Sequence, residues 1–319
     1  MKALVTGGAG FIGSTLVDRL IAEGHQVDVV DDLSTGSLAN LADARAEGEH
    51  RLSFQRLDIR DPAVVEFVQR REPEVVFHLA AQADVRVSVE RPAFDAEVNV
   101  IGSINVLEGA RLGGARKIVF ASSGGTIYGE PEELPVRESH SQKPLSPYGA
   151  AKKAVADYLG VYRELHGLEF TALALANVYG PRQDPFGEAG VVSIFAGKLL
   201  AGEPCMIFGD GEQTRDFVFV DDVVDAFSRA ATKGSGLLMN IGTGKETSVN
   251  ELYRTMAANA GVVADPVHAP ARTGELARSS LDPGRAGIHL GWRPWTKLDD
   301  GTSAVLKWMA RSKPEPHSA

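Results

Sequence analysis

The chain has 319 residues, 44% hydrophobic and 24% charged, a composition suited to a globular protein with a large core or two lobes. Its net charge of −9 argues against a nucleic-acid binder and requires that any anionic ligand be held by local arginines and backbone donors. The one cysteine, Cys205, gives no disulfide framework and no zinc cluster, and no apolar run is long enough for a signal peptide or for the roughly 18 residues of a membrane span, so a cytoplasmic protein with no metal and no membrane contact is expected.

Ala3 to Thr6 is a short apolar run ending in glycine, the pattern of a buried parallel strand. Gly7-Gly8-Ala9-Gly10-Phe11-Ile12-Gly13 follows. Ser14 to Glu23 then places Leu16, Val17, Leu20 and Ile21 at helical spacing and is closed by Gly24. Glycines between a strand and a helix, here spaced G-x-x-G-x-x-G, let a pyrophosphate reach the N–H groups of the helix N-terminus; the other reading is a tight turn without a ligand. Gln26 to Val30 alternates as a second strand and runs into Asp31-Asp32. An acidic residue about 20 positions past such glycines holds a ribose diol and repels a 2′-phosphate, so NAD is expected rather than NADP. Asp31 is the stronger candidate, Asp32 the turn residue, and Ser34-Thr35-Gly36 are placed to touch the adenosine ribose.

Ser53 to Leu57 forms a third strand before Asp58-Ile59-Arg60-Asp61, and Pro62 suits the first turn of a helix. Asp58, with Ile59, is placed at the adenine; the alternative, a helix cap, fits Asp61 better. Val75 to Leu79 is the fourth strand and ends in Ala80-Ala81-Gln82, where small residues let the backbone pass close to a cofactor. His78 inside it is expected to be a packed core residue rather than a catalytic one. Phe94 to Leu112 reads as a long helix, in which Asn99 either bonds the strand-end loops or touches the cofactor. Lys117 to Phe120, the fifth strand, leads into Ser122-Ser123-Gly124-Gly125-Thr126-Ile127-Tyr128-Gly129. Five strand–helix alternations indicate an α/β, Rossmann-type doubly wound parallel sheet, whose ligands lie beyond the carboxyl ends of the strands. Gly7, Asp31, Asp58, Ala80 and Ser122 occupy those ends and should line one crevice.

Pro144 to Pro147 leads into a helix that carries Tyr148 and Lys152 one turn apart, with Val155, Leu159, Tyr162 and Leu165 as its apolar stripe. A tyrosine with a pKa of about 10 is a poor base. A neighbouring ammonium favours its phenolate, which could then exchange a proton with a sugar hydroxyl. The plainer reading is a surface lysine over a half-buried tyrosine. The sixth strand, Glu169 to Leu175, closes with Asn177-Val178-Tyr179-Gly180-Pro181-Arg182.

Thr6 to Gly13, His78 to Gln82, Ser122 to Gly129, Tyr148 to Lys152 and Asn177 to Arg182, in this order, resemble the extended short-chain dehydrogenases/reductases, and among these the UDP-glucose (UDP-galactose) 4-epimerases. The likeness runs from residue 2 to about residue 300. It implies an NAD-binding domain over 1–178, a smaller α/β nucleotide-sugar-binding lobe over 179–319, and a homodimer packed through the helices around 94–112 and 148–166. Leu79, Ala80, Ala81, Gln82, Asn99 and Ser122 would join Gly7, Gly10, Phe11, Ile12, Gly13 and the Asp31 and Asp58 turns around NAD. The chain departs from the pattern at one place. A Ser or Thr usually stands four residues before the tyrosine of the Tyr-Gly pair and assists the catalytic tyrosine, but that position is Gly124. Ser123 is the expected substitute and Thr126 the second candidate.

Met206 to Phe217 reads as strand, turn, strand, and Val218 to Val224 is expected to return to the main sheet, so that 217–240 rejoins the first domain. Arg215 and Arg272 suit diphosphate oxygens, a planar guanidinium having several donors, although a surface ion pair is the usual role of an arginine. The resemblance places Asn177 and Glu275 at the substrate as well. It also makes Ser279, seven residues past Arg272, a small residue where a bulky tyrosine is common, leaving room for an N-acetyl group.

The reaction implied is 4-epimerisation of a UDP-hexose: Tyr148, aided by Lys152, takes the O4 proton while C4 hydride passes to NAD, and the 4-keto sugar is reduced again on its other face. The alternatives are a 4,6-dehydratase, a decarboxylase, a uronate epimerase or a non-catalytic NAD-binding protein. A dehydratase needs an Asp-Glu pair just before the Tyr-Gly, where Gly124, Gly125 and Thr126 stand. Non-catalytic relatives lose the tyrosine or the lysine, and both are present.

Overall fold

The computed structural model describes residues 1–184, 190–271 and 276–312. Its centre is a seven-stranded, wholly parallel sheet made of β1 (Lys2–Thr6), β2 (Gln26–Asp31), β3 (Leu52–Arg56), β4 (Val75–His78), β5 (Lys117–Ser123), β6 (Glu169–Leu175) and a last strand, Leu237–Ile241. The spatial order is Leu237–Ile241, β6, β5, β4, β1, β2, β3. The chain therefore winds outward from β1 to β3, crosses back, and winds the other way from β4. That reversal opens a crevice between β1 and β4 at the carboxyl ends, where ligands of open α/β sheets bind. Register places Thr6 beside Val30 on one side and beside His78 on the other. Gly7, Asp31 and Leu79 consequently emerge at one level.

The strands read as apolar runs because both faces of the sheet are covered. Ala3, Val5, Val29 and Phe77 pack with Leu16, Leu20, Val223 and Phe227, while Leu4, Val76, Ile118 and Phe120 pack with Val64, Val68, Val106 and Val155. Each fully buried large aliphatic side chain of this kind contributes about 1.5–3 kcal/mol. On the second face Gly109 lets helix Gly102–Leu112 approach helix Ala63–Arg71; a Cβ there would lie 2.7 Å from Val68 Cβ.

One element differs from expectation. Residues 218–224 do not return to the main sheet. Phe217–Phe219 is a short strand paired in parallel with Asn177–Tyr179, and Val220–Ala230 is a helix lying on α1 (Phe11–Ala22). Val220, Val223, Val224 and Phe227 form an i, i+3, i+4, i+7 stripe buried on that helix, and Asp221 and Asp222 occupy its first turn, where carboxylates favour the helix dipole. The strand that extends the sheet is Leu237–Ile241, parallel to β6. Two further short pairs, Met206–Phe208 with Val267–Ala269 and Thr214–Arg215 with Thr247–Ser248, lie outside the main sheet. Among the described residues no helix is long and apolar enough to cross a membrane.

Candidate active site

The glycine loop is shaped by close backbone approach. Gly7 has φ 70° and donates its N–H to Val30 O at 2.8 Å; a Cβ there would lie 2.7 Å from Ala80 N. A Cβ on Gly13 would lie 2.0 Å from Gly7 O. Gly10 is the N-cap of α1, and no side chain caps that end. The first-turn N–H groups, including those of Phe11, Ile12 and Gly13, have no intrahelical acceptor and carry the positive end of the dipole, the elements of a phosphate site.

Asp31 stands beside this loop, almost fully buried. Its Oδ2 accepts from Ala9 N at 2.9 Å and its Oδ1 from Leu33 N at 2.8 Å. Burial pushes its pKa up and these two N–H bonds oppose the rise. Gly36 leaves the carboxylate room, since a Cβ there would lie 2.9 Å from Asp31 Oδ1. Asp32 accepts from Ser34 N and Ser34 Oγ at 2.8 and 2.6 Å, so it shapes the turn that holds Ser34 and Thr35. Asn40, which the sequence did not single out, ties this turn to the glycine loop by donating to Ala9 O at 2.9 Å. Asp58 is bound to Arg60 through the backbone N–H and the guanidinium, which holds its carboxyl below the usual range. Asp61 caps the next helix at Ala63 N. Ile59 is buried and faces Gly102.

The β4 end is fixed by a hydrogen-bond chain. Ala80 N–H donates to Thr6 Oγ1 (3.2 Å), Thr6 Oγ1 to His78 Nδ1 (2.7 Å), His78 Nε2 to Ser103 Oγ (2.8 Å) and Ser103 Oγ to Asn99 O (2.6 Å). The last bond fixes the direction of the others and the imidazole tautomer. His78 is thus the packed core residue expected, and burial, reinforced by Lys152, pushes its pKa down to about 3. Asn99 accepts from Gln82 N at 3.0 Å and donates to Gln82 O and Asp95 Oδ1 at 2.8 and 2.9 Å. Its Oδ1 and one N–H therefore brace Gln82 directly, and the other N–H holds Asp95, which itself accepts from Gln82 Nε2 at 2.9 Å. Ser103 and Asp95 escaped the sequence reading, because only the fold brings them to this loop.

The neutral imidazole has a consequence for acid stability. His78 binds a proton in the unfolded chain below about pH 6.5 but resists it in the fold, so its contribution is complete above that pH and falls by about 1.4 kcal/mol per unit as pH drops toward 3. Urea unfolding at pH 7 and pH 5 should show a larger acid loss for the wild type than for His78→Asn. Equal losses would mean that His78 is protonated in place.

Tyr148 and Lys152 lie on helix Pro147–His166, which starts with Ser146 Oγ accepting from Gly149 N at 3.1 Å and with proline in its first turn. Lys152 is buried rather than on the surface. Its Nζ donates to Ala121 O at 3.0 Å and lies 4.8 Å from the Phe120 ring centroid and 5.6 Å from that of Tyr148. The buried ammonium thus faces the half-buried Tyr148 ring one helical turn away. Gly149 lets the helix meet the Gly124–Ile127 turn; a Cβ there would lie 2.6 Å from Thr126 O. Thr126 and Ser123 are both half-buried, with Thr126 Oγ1 donating to Ser123 O at 3.4 Å. Ser122 Oγ, at the end of β5, is buried without a hydrogen-bond partner.

Further along the chain, Asn177 is exposed on its short strand, and Arg215 is half-buried, with Nη1 donating to Thr214 O and Leu276 O at 2.7 and 2.8 Å. Arg272 and Glu275 lie outside the described residues. Ser279 is half-buried in a segment anchored by Asp216, another residue the sequence reading passed over. Asp216 is buried and accepts from Thr243 N and Oγ1, Gly244 N and Leu281 N. Burial raises its pKa against those four donors. Tyr128, in contrast to Tyr148, is buried with its hydroxyl on Asn240 Oδ1 at 2.8 Å. Among the described residues no group of three or more His, Cys, Asp or Glu is arranged to hold a metal ion.

The glycine cradle, the uncapped helix end, the Asp31 carboxylate and the unpartnered Ser122 hydroxyl fit NAD. Tyr148 and Lys152 bring a phenol and an ammonium together, groups that can exchange a proton. Comparison with known proteins agrees with this geometry. Residues 3–242 match the model of the NAD dependent epimerase/dehydratase family. A UDP-glucose 4-epimerase of Mycolicibacterium smegmatis is 51% identical over 309 residues, covering 97% of this chain and 98% of its own. The crystal structure of a Thermotoga maritima UDP-glucose 4-epimerase with UDP-glucose superposes with a TM-score of 0.93 at 45% identity, covering 98% of this chain and 99% of the other. That of a Thermus thermophilus UDP-glucose 4-epimerase complexed with NAD gives 0.90 at 42% identity, covering 98% and 100%.

Proposed function

The chain belongs to the NAD dependent epimerase/dehydratase family, and we propose that it is a UDP-glucose/UDP-galactose 4-epimerase that works with bound NAD. The observation that carries this reading is the placement of Tyr148 over the buried Lys152 at the crevice formed by Gly7, Asp31 and Ala80. When bound, NAD would supply the hydride acceptor and donor for the sugar C4, leaving no net redox change. The α1 N-terminus would hold its pyrophosphate, Asp31 its adenosine ribose, and Ser122 the nicotinamide side of the crevice. Tyr148 takes the O4 proton and later returns it. Lys152 keeps the phenolate available from a position fixed by Ala121 O.

Of the two hydroxyl candidates, Thr126 is supported by the approach of its backbone carbonyl to Gly149, the residue after Tyr148, which sets its turn against the Tyr148 helix. We therefore assign Thr126 to the sugar oxygen and leave Ser123 at the strand end. Asn177, Arg215, Arg272 and Glu275 are assigned to the nucleotide and diphosphate, and the small Ser279 to a pocket that tolerates an N-acetyl group. A homodimer is supported by apolar side chains left exposed on two helices, Ile101 and Leu112 on one and Tyr158, Val161 and Leu165, at i, i+3 and i+7, on the other. We keep the division into an NAD domain (1–178 with 217–240) and a sugar lobe, and a cytoplasmic setting, as parts of this proposal.

Purified protein incubated with UDP-galactose, without added NAD, should produce UDP-glucose up to equilibrium, resolved by chromatography. No product from protein that carries NAD would overturn the reading.

A further inference from the structure

We propose that Leu281 is a positioning residue that keeps residue 124 free of a side chain and so leaves the hydroxyl at the sugar to a neighbour, assigned above to Thr126. A Cβ built on Gly124 would lie 2.3 Å from Leu281 Cδ1 and 3.1 Å from Leu281 Cδ2, with Ala174 O behind it at 3.2 Å. The carbonyl contact is tight and requires the turn or β6 to give by a few tenths of an ångström. The contact with Cδ1 is the more severe, so Leu281 must also move before residue 124 can bear any side chain.

Leu281 has little freedom to move. It is 1% exposed and packs among Ile127, Tyr128, Val136 and Ala174. Its backbone is held as well. Leu281 N donates to Asp216 Oδ2 at 3.1 Å, and the flanking residues are tied to Val136: Val136 N donates to Ser280 O and Asp282 N to Val136 O, both at 2.8 Å. Gly124 is not demanded by its own backbone, which is absent from the positive-φ residues and opens a short helix. The glycine therefore answers to Leu281. Because Leu281 lies two residues past Ser279, the same side chain joins the segment at the sugar to the turn at the reacting hydroxyl.

The proposal rests on the 4-epimerase reading for its activity arm but not for its stability arm. Gly124→Ser is made in the wild type and in Leu281→Ala, and each of the four proteins is melted with NAD bound. The substitution should lower Tm by several degrees beside Leu281 and by less than half as much beside Ala; Leu281→Val replaces Leu281→Ala if the latter melts below the assay temperature. Equal Tm losses in the two backgrounds overturn the proposal. In the second arm, Thr126→Ala should lower turnover at least tenfold. Gly124→Ser should restore a good part of it when combined with Leu281→Ala and none of it when Leu281 is kept. Rescue with Leu281 in place would also overturn the proposal. Full turnover by Thr126→Ala alone would instead remove the hydroxyl assignment to Thr126 and with it the second half of the proposal, while the melting comparison decides the first half.

Discussion

Tyr148→Phe is expected to lower kcat for UDP-galactose by about 10²–10⁴-fold, the range that a positioned general acid–base contributes. The substitution removes one oxygen and leaves the ring whose centroid lies 5.6 Å from Lys152 Nζ. Helix Pro147–His166 keeps its Ser146 cap and its contact with Thr126, so the backbone around the site has no reason to shift. NAD content and KM should consequently stay within a few-fold of wild type, and the loss should fall on kcat. Single-turnover assays with the NAD content measured on the same samples would check this. A kcat within tenfold of wild type would show that another group exchanges the O4 proton.

Gly13→Ala should abolish most NAD binding and destabilise the fold. The added Cβ would sit 2.0 Å from Gly7 O, inside a backbone turn rather than against a movable side chain. Overpacking of a core typically costs about 1–3 kcal/mol, and a clash with a carbonyl on the same loop belongs at the upper end or beyond. Relief requires α1 to draw back from Gly7, which moves the Phe11 and Ile12 N–H groups away from the pyrophosphate. The measurement is NAD released on denaturation, per mole of protein, together with Tm; unchanged values would mean that the loop accommodates the methyl group. Gly10→Ala is the control for Tm alone, because within the protein its Cβ would meet only Gly7 O at 3.3 Å.

Much of this was legible from local pattern. The apolar runs of β1, β4, β5 and β6 and the glycines after β1 name their elements because a parallel strand is buried on both faces and a close turn excludes side chains. The stretch from Val218 to Val224 misled because it opens with the apolar residues of a strand. Its Asp221-Asp222 pair and its continuation to Phe227 and Ala230 carry the 3.6-residue period of a helix. The roles of Ser103, Asp95 and Asp216 were not legible, because each bonds residues that the fold brings from elsewhere in the chain. Leu281 and Gly124 illustrate the limit most sharply. Each is unremarkable where it stands in sequence, and the reason for the glycine is the leucine.

The last strand of the main sheet is made late. A ribosome that has finished β6 must add roughly sixty residues, all of them outside the sheet, before Leu237–Ile241 appears. At bacterial to eukaryotic elongation speeds that interval lasts about three to twelve seconds, far longer than a hairpin or helix needs to form. Throughout it the free side of β6 is an open edge able to capture another chain. Asn240 has not yet arrived to hold Tyr128 and Val136, so the proton-transfer turn is also unanchored. Nascent chains in which residue 175 has left the exit tunnel and residue 241 has not should therefore be the ones that holdase chaperones occupy, and that occupancy should end once residue 241 has emerged.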